Sequence, residues 1–128
     1  MKSFITALII LFVVIALITV NAVYVNTTVS RLLHLVDKLP GNNELTVNGF
    51  EFYRPRLVDF TSEWDKHEKL IGIAVSYDYI YSVSLSVAGI EEYFDAHSIP
   101  DFEASKSALR SGLERLSEVE ALSFDNIF

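Results

Sequence analysis

The stretch FEFYRPRLVDFTSEWDKHEKLIGIAV, residues 50 to 75, decides the fold. Its apolar and aromatic positions Phe50, Tyr53, Leu57, Phe60, Trp64, His67, Ile71 and Val75 recur in steps of three and four, which places them on one face of a helix. Pro55 fits the first turn of that helix, where a missing backbone donor costs little. Charged residues fill the opposite face, so this is an amphipathic helix that needs apolar partners.

Working outward, the chain supplies them. Val29, Leu32, Leu33, Leu35, Val36 and Leu39 recur at helical spacing before Pro40-Gly41-Asn42-Asn43 stops the pattern. The polar lead-in from Asn42 to Gly49 is expected as a loop. Beyond Val75, Ser76-Tyr77-Asp78 marks either a turn or a kink in one long helix, and Ile80, Val83, Val87, Ile90 and Phe94 resume the seam. Ser98-Ile99-Pro100-Asp101 is a clearer break. Asp101 is placed there as the N-cap of a last helix carrying Phe102, Leu109, Leu113, Leu116 and Val119 on one face. Tyr77 to Leu85, rich in Tyr, Val and Ser, is the one stretch with strand-like composition. The expected fold class is all-α: an antiparallel bundle of about three helices.

The N-terminal end belongs to a different solvent. Phe4 to Val25 is interrupted only by Thr6, Thr19 and Asn21. At about 1.5 Å per residue such a helix reaches about 33 Å, enough to cross a bilayer. Lys2 and the amino terminus precede the span, and the next cation, Arg31, comes only later, so the positive-inside bias orients the N-terminus to the cytoplasm. The expected organisation is an anchor over 1–25, a helical stalk over 26–40 and an extracytoplasmic domain over 41–128 at the cell membrane. The alternative is a signal peptide cleaved after Ala22, because Val20-Asn21-Ala22 has small residues where signal peptidase reads them. The length of the apolar run favours retention.

Charge and composition narrow the function classes. Beyond Val23 there are nine basic against seventeen acidic residues, which argues against a nucleic-acid or an anionic-lipid surface. The chain has no cysteine, hence no disulfide framework, thiolate nucleophile or zinc-thiolate site. It has no phosphate-binding glycine loop, no Gly-x-Ser-x-Gly elbow and no His-Glu-x-x-His, so an enzyme is not expected, and neither a cofactor nor a metal is assigned. Glu63 and His67 are one helical turn apart, the only carboxylate-histidine pair of that kind on the seam, and read first as a hydrogen-bonded pair at the core edge. Glu91, Glu92, Asp95, His97, Asp101 and Glu103 gather around the last turn without the spacing of a calcium loop.

The aromatic surplus is the remaining signal. Trp64, His67, Tyr77, Tyr79 and Tyr81 are the candidate partner or ligand surface, since rings bury large area at small entropic cost. Core packing uses rings too: Phe60, Trp64 and Phe94 read first as core, while the three tyrosines cannot all face inward on one helix. Phe124, Ile127 and Phe128 are expected to dock onto the bundle. The function these features suggest is a membrane-anchored interaction or scaffold protein with a protein partner or a second copy of itself. A small-molecule or cation sensing module is the alternative, as is a secreted binding domain if the signal is cut.

The order of parts resembles the bacterial family catalogued as domain of unknown function 4363. The resemblance rests on the Met1-Lys2 start and single span, Ser62-Glu63-Trp64 in a charged helix leading to Leu70, the Ile80 to Tyr93 helix, and the closing Leu116 to Phe128 with its Ser123-Phe124-Asp125-Asn126-Ile127-Phe128 end. It implies a short, single-span, helical protein from a bacterium, and brings no activity.

Overall fold

A computed structural model describes residues 1–74 and 77–127, with the side chains of 72–74, 77 and 119–127 left aside. The first helix, α1 (Lys2–Asp37), runs unbroken for 36 residues. No glycine or proline falls within it, so nothing in the sequence interrupts its hydrogen-bond ladder. Its apolar first part is exposed, whereas Val25, Thr28, Val29, Leu32 and Val36 are buried. One helix therefore serves two environments, and the segment expected as a stalk is packed into the bundle.

After Pro40 the chain forms α2 (Asn42–Asn48), where a loop was expected. Gly41 is extended as its N-cap, and Leu45 goes into the core, so one buried leucine outweighs the low helix propensity of the three asparagines. Gly49 ends the helix at φ 80°, a backbone conformation that glycine adopts without steric cost, and its N–H bonds the Leu45 carbonyl. A 3-10 turn at Glu51–Tyr53 leads into α3 (Arg54–Ala74), with Pro55 in the first turn as expected.

Two further helices follow, α4 (Tyr77–Asp95) and α5 (Ile99–Ile127). The strand-like composition of Tyr77 to Leu85 is overridden by the three-and-four spacing of Ile80, Val83, Val87, Ile90 and Phe94, all buried. Residues 75 and 76 lie outside the described residues. Arg54 meets Asp95, and Ser84 donates to Glu68 at 2.8 Å, so α3 and α4 are antiparallel neighbours rather than one kinked helix.

The break before α5 differs from expectation. Helix α4 closes in a Schellman motif: His97 N–H bonds Phe94 O at 3.2 Å and Ser98 N–H bonds Tyr93 O at 3.0 Å. His97 takes the left-handed position at φ 56°, and its ring stacks on Phe50 with centroids 5.1 Å apart, a contact glycine would lack. The new helix begins at once. The Ser98 carbonyl accepts from Phe102 N–H, and the Ser98 hydroxyl donates to Asp101 at 2.7 Å. Asp101 is therefore a first-turn residue, and Ser98 stands where Asp101 was expected to cap.

Helices α1, α3, α4 and α5 form an up-down-up-down bundle in which chain neighbours are space neighbours and α5 closes back on α1. Antiparallel pairing of α1 with α5 is marked by Arg110 with Asp37 and by Ser117 with Asn26. The bundle has four members, α1 being the addition to the three expected. No strand occurs among the described residues. The core contains Leu32, Phe60, Trp64, Ile71, Ile90, Phe94, Phe102, Leu109, Leu113 and Leu116. Gly112 lets α4 approach α5 closely, since a Cβ there would sit 3.1 Å from a Val83 methyl.

Candidate functional site

Where the exposed part of α1 enters the bundle, four polar side chains join α1 to α3. The Tyr24 hydroxyl lies 2.7 Å from His67 Nδ1, His67 Nε2 lies 3.0 Å from Glu63 Oε1, and Arg31 Nη1 reaches the same carboxylate oxygen at 2.9 Å. Helical spacing explains the set. Glu63 and His67 are one turn apart on α3, and Tyr24 and Arg31 are two turns apart on α1, so two antiparallel helices present matching pairs.

With the imidazole neutral, Tyr24 O–H donates to Nδ1 and Nε2–H donates to Glu63, leaving no ring nitrogen unpaired. His67 and Glu63 are 15% and 18% exposed while Arg31 is 55% exposed, so the charge-bearing end opens to water and the tyrosine end turns inward. The Arg31 guanidinium, together with the His67 hydrogen bond, holds the Glu63 carboxyl below the ordinary glutamate range against the opposing effect of desolvation. Such a chain can relay a proton or lock the rotation of α1 on α3. The groups are mutually satisfied.

Beside Tyr24 an apolar cleft of about 350 Å³ is lined by Leu17, Val20, Asn21, Tyr24 and Leu70. Two smaller depressions are more polar. One, of about 310 Å³ between α4 and α5, is lined by Asp78, Tyr79, Ser82, Gly112 and Arg115. Another, of about 160 Å³ between α3 and α4, contains Glu91 and Asp95 with Arg54. Burial, with Asp65 and Asp95 adding repulsion, pushes the Glu91 carboxyl up.

The structure separates the residues proposed as a partner surface. Trp64 is 2% exposed in the core, so its ring offers nothing to a partner; it lies on the α3 seam with Phe60 and Ile71. His67 is engaged in the polar chain, Tyr79 is half-buried against the core, and Tyr81 is 52% exposed. The Tyr77 side chain lies outside the described residues, as do Val119, Phe124, Ile127 and Phe128. Nor does the acidic run converge: Asp95 pairs with Arg54, Asp101 with Ser98, and Glu103 with Lys106. Among the described residues no three His, Cys, Asp or Glu side chains gather as metal ligands. Tyr24 and Arg31 are the members that sequence reasoning missed. Tyr24 sits inside an apolar run, and no one-dimensional pattern pairs residue 24 with residue 67.

The family described as Domain of unknown function (DUF4363) matches residues 20–127, and the chain belongs to it. The match begins within the apolar part of α1 and takes in the whole bundle. No curated protein and no solved structure matches the chain.

Proposed function

We propose that this family member is a membrane-anchored interaction protein, with α1 crossing the cell membrane and the four-helix bundle presented on the extracytoplasmic side. The observation that carries the reading is the continuity of α1. The same helix is long and apolar enough to span a membrane, exposed along that part, and then buried in the bundle core from Val25 onward. A soluble protein gains nothing from so long an exposed apolar helix, whereas a bilayer removes its cost. At the opposite end, Val47 and Phe52 are 81% and 66% exposed, the apolar groups a partner would cover.

A second reading, a secreted binding domain, is favoured by one observation. A cut after Ala22 falls ahead of Val25, the first buried residue, so the shortened chain keeps every core position of the bundle. Intact mass of the protein purified from its own membranes separates the two: the anchored reading expects the chain from Met1, the secreted one a chain from Val23. Affinity purification of the full chain tests the interaction role. The expected result is one stoichiometric partner that Phe52→Ser releases without lowering stability; a monomer with no partner counts against it. A thermal-shift screen against metals and envelope metabolites tests the sensing alternative, since a ligand of the folded state must raise its stability.

A further inference from the structure

The bundle's near end does not stop where the span stops. As a helix, Phe4 to Val25 extends about 33 Å against a hydrocarbon core of about 30 Å. Tyr24 therefore falls at the outer boundary of the bilayer, with Val20 about 6 Å and Leu17 about 10 Å deeper at about 1.5 Å per residue. Leu70 of α3 lines one cleft with all three and is 54% exposed, so it stands within this outermost part of the span. Helix α3 continues beyond Leu70 to Ala74 in the direction of the span, about 6 Å further at about 1.5 Å per residue. The sequence agrees, since Leu70 to Tyr81 carries one charge, Asp78.

The groups around Leu70 have the chemistry of an interface. Lys66 is one helical turn before it and Lys69 is adjacent, both exposed, and long lysine stems lie along apolar surface while the ammonium reaches outward. Tyr24, at the same level, is half-buried and bonded to His67, so it marks the depth without reaching the lipid. Helix α5 differs: Glu118 is exposed, and Glu120 and Asp125 follow in sequence, so the apolar contact belongs to the α3 side.

We propose that this α3 flank is a phospholipid contact surface: Leu70 enters the outer edge of the acyl region, and Lys66 and Lys69, local cations on an otherwise acidic domain, reach lipid phosphates. The bundle then sits directly on the bilayer, tilted toward α3. The proposal rests on the anchored reading, and its test keeps the two apart. The chain has no cysteine, so single sites take a fluorescent probe without background. Full-length Leu70→Cys, Val47→Cys and Leu8→Cys are labelled with an environment-sensitive dye and reconstituted in phosphatidylcholine and phosphatidylglycerol vesicles.

The expected result is that the probe at 70 is quenched by spin-labelled lipid and loses iodide quenching, while the probe at 47 responds to iodide alone. Iodide quenching at 70 equal to that at 47 overturns the proposal, because the bundle then stands clear of the bilayer. Protection at 70 from both quenchers also overturns it, showing that a second copy or another protein covers the cleft. Failure of lipid quenching at residue 8 overturns the anchor itself; quenching at 8 without quenching at 70 defeats the surface alone. Should Leu70→Cys fail to fold, Lys69→Cys places the dye at the adjacent exposed position, with shallower lipid quenching expected.

Discussion

The two ends of the bundle are closed by different means. At the end away from the exposed part of α1, Phe50, Phe94 and Phe102 meet in edge-to-face and tilted contacts 5.3 to 5.9 Å apart, with the His97 ring stacked on Phe50. At the end near that exposed part, α1 is joined to α3 by the Tyr24, His67, Glu63 and Arg31 chain and to α5 by a Ser117 to Asn26 hydrogen bond at 2.8 Å. Phenylalanine packing is bulky, non-polar and indifferent to pH. Hydrogen-bonded polar pairs are individually weak and depend on protonation. The far end therefore holds the fold together, while the near end sets how α1 is seated.

The largest test of that division is Phe94→Ala, which removes a fully buried ring and is expected to cost about 3 to 5 kcal/mol by denaturant unfolding in detergent. A loss no greater than that from a near-end change would erase the distinction. Tyr24→Phe, which deletes only the hydroxyl on His67, is expected to cost about 0.5 to 1.5 kcal/mol in the same assay. Its mark should be local, with faster amide exchange around residues 21–31 and unchanged exchange near Phe102.

The near end and the α3–α4 depression should respond to acid in opposite senses. Because Glu63 has a lowered folded pKa, its ion pair stabilises the protein above the ordinary glutamate range, and this is lost as pH falls through the folded pKa. Glu63→Gln should thus be less stable than the parent at pH 7, with the gap closing in acid. Glu91 has a raised folded pKa, so its charge destabilises the fold at neutral pH and the penalty is relieved on acidification. Glu91→Gln should be more stable at pH 7, its advantage vanishing as pH falls. Unfolding curves for both variants across pH 3 to 8 check the two signs. The smallest effect expected is that of Glu44→Ala, which breaks a 3.6 Å exposed pair with Arg56 and should stay within about 0.5 kcal/mol.

The long helices were more legible in sequence than either end. Every apolar position of the α4 seam is buried, as are Phe50, Tyr53, Leu57, Phe60, Trp64 and Ile71, because burying one face of a helix leaves a period that one dimension preserves. Short elements escaped that logic. Helix α2 depends on a single leucine among residues that favour turns, and the start of α5 depends on which of two capping side chains wins. Glu63 and His67 were visible as a pair because both lie on α3. Their partners were not, since Tyr24 and Arg31 come from a helix whose packing face is set only by the closed bundle.

Each residue turns a helix by about 100°, so an unbroken rod such as α1 ties the azimuth of its apolar part to that of its core part by residue count alone. Inserting a single residue between Leu17 and Ala22 would swing the side chains before it by that angle while Val25, Leu32 and Val36 stayed in place. A partner gripping the first part of the rod would then find a different flank of the bundle overhead, whereas a change that preserved the count would leave the bearing untouched.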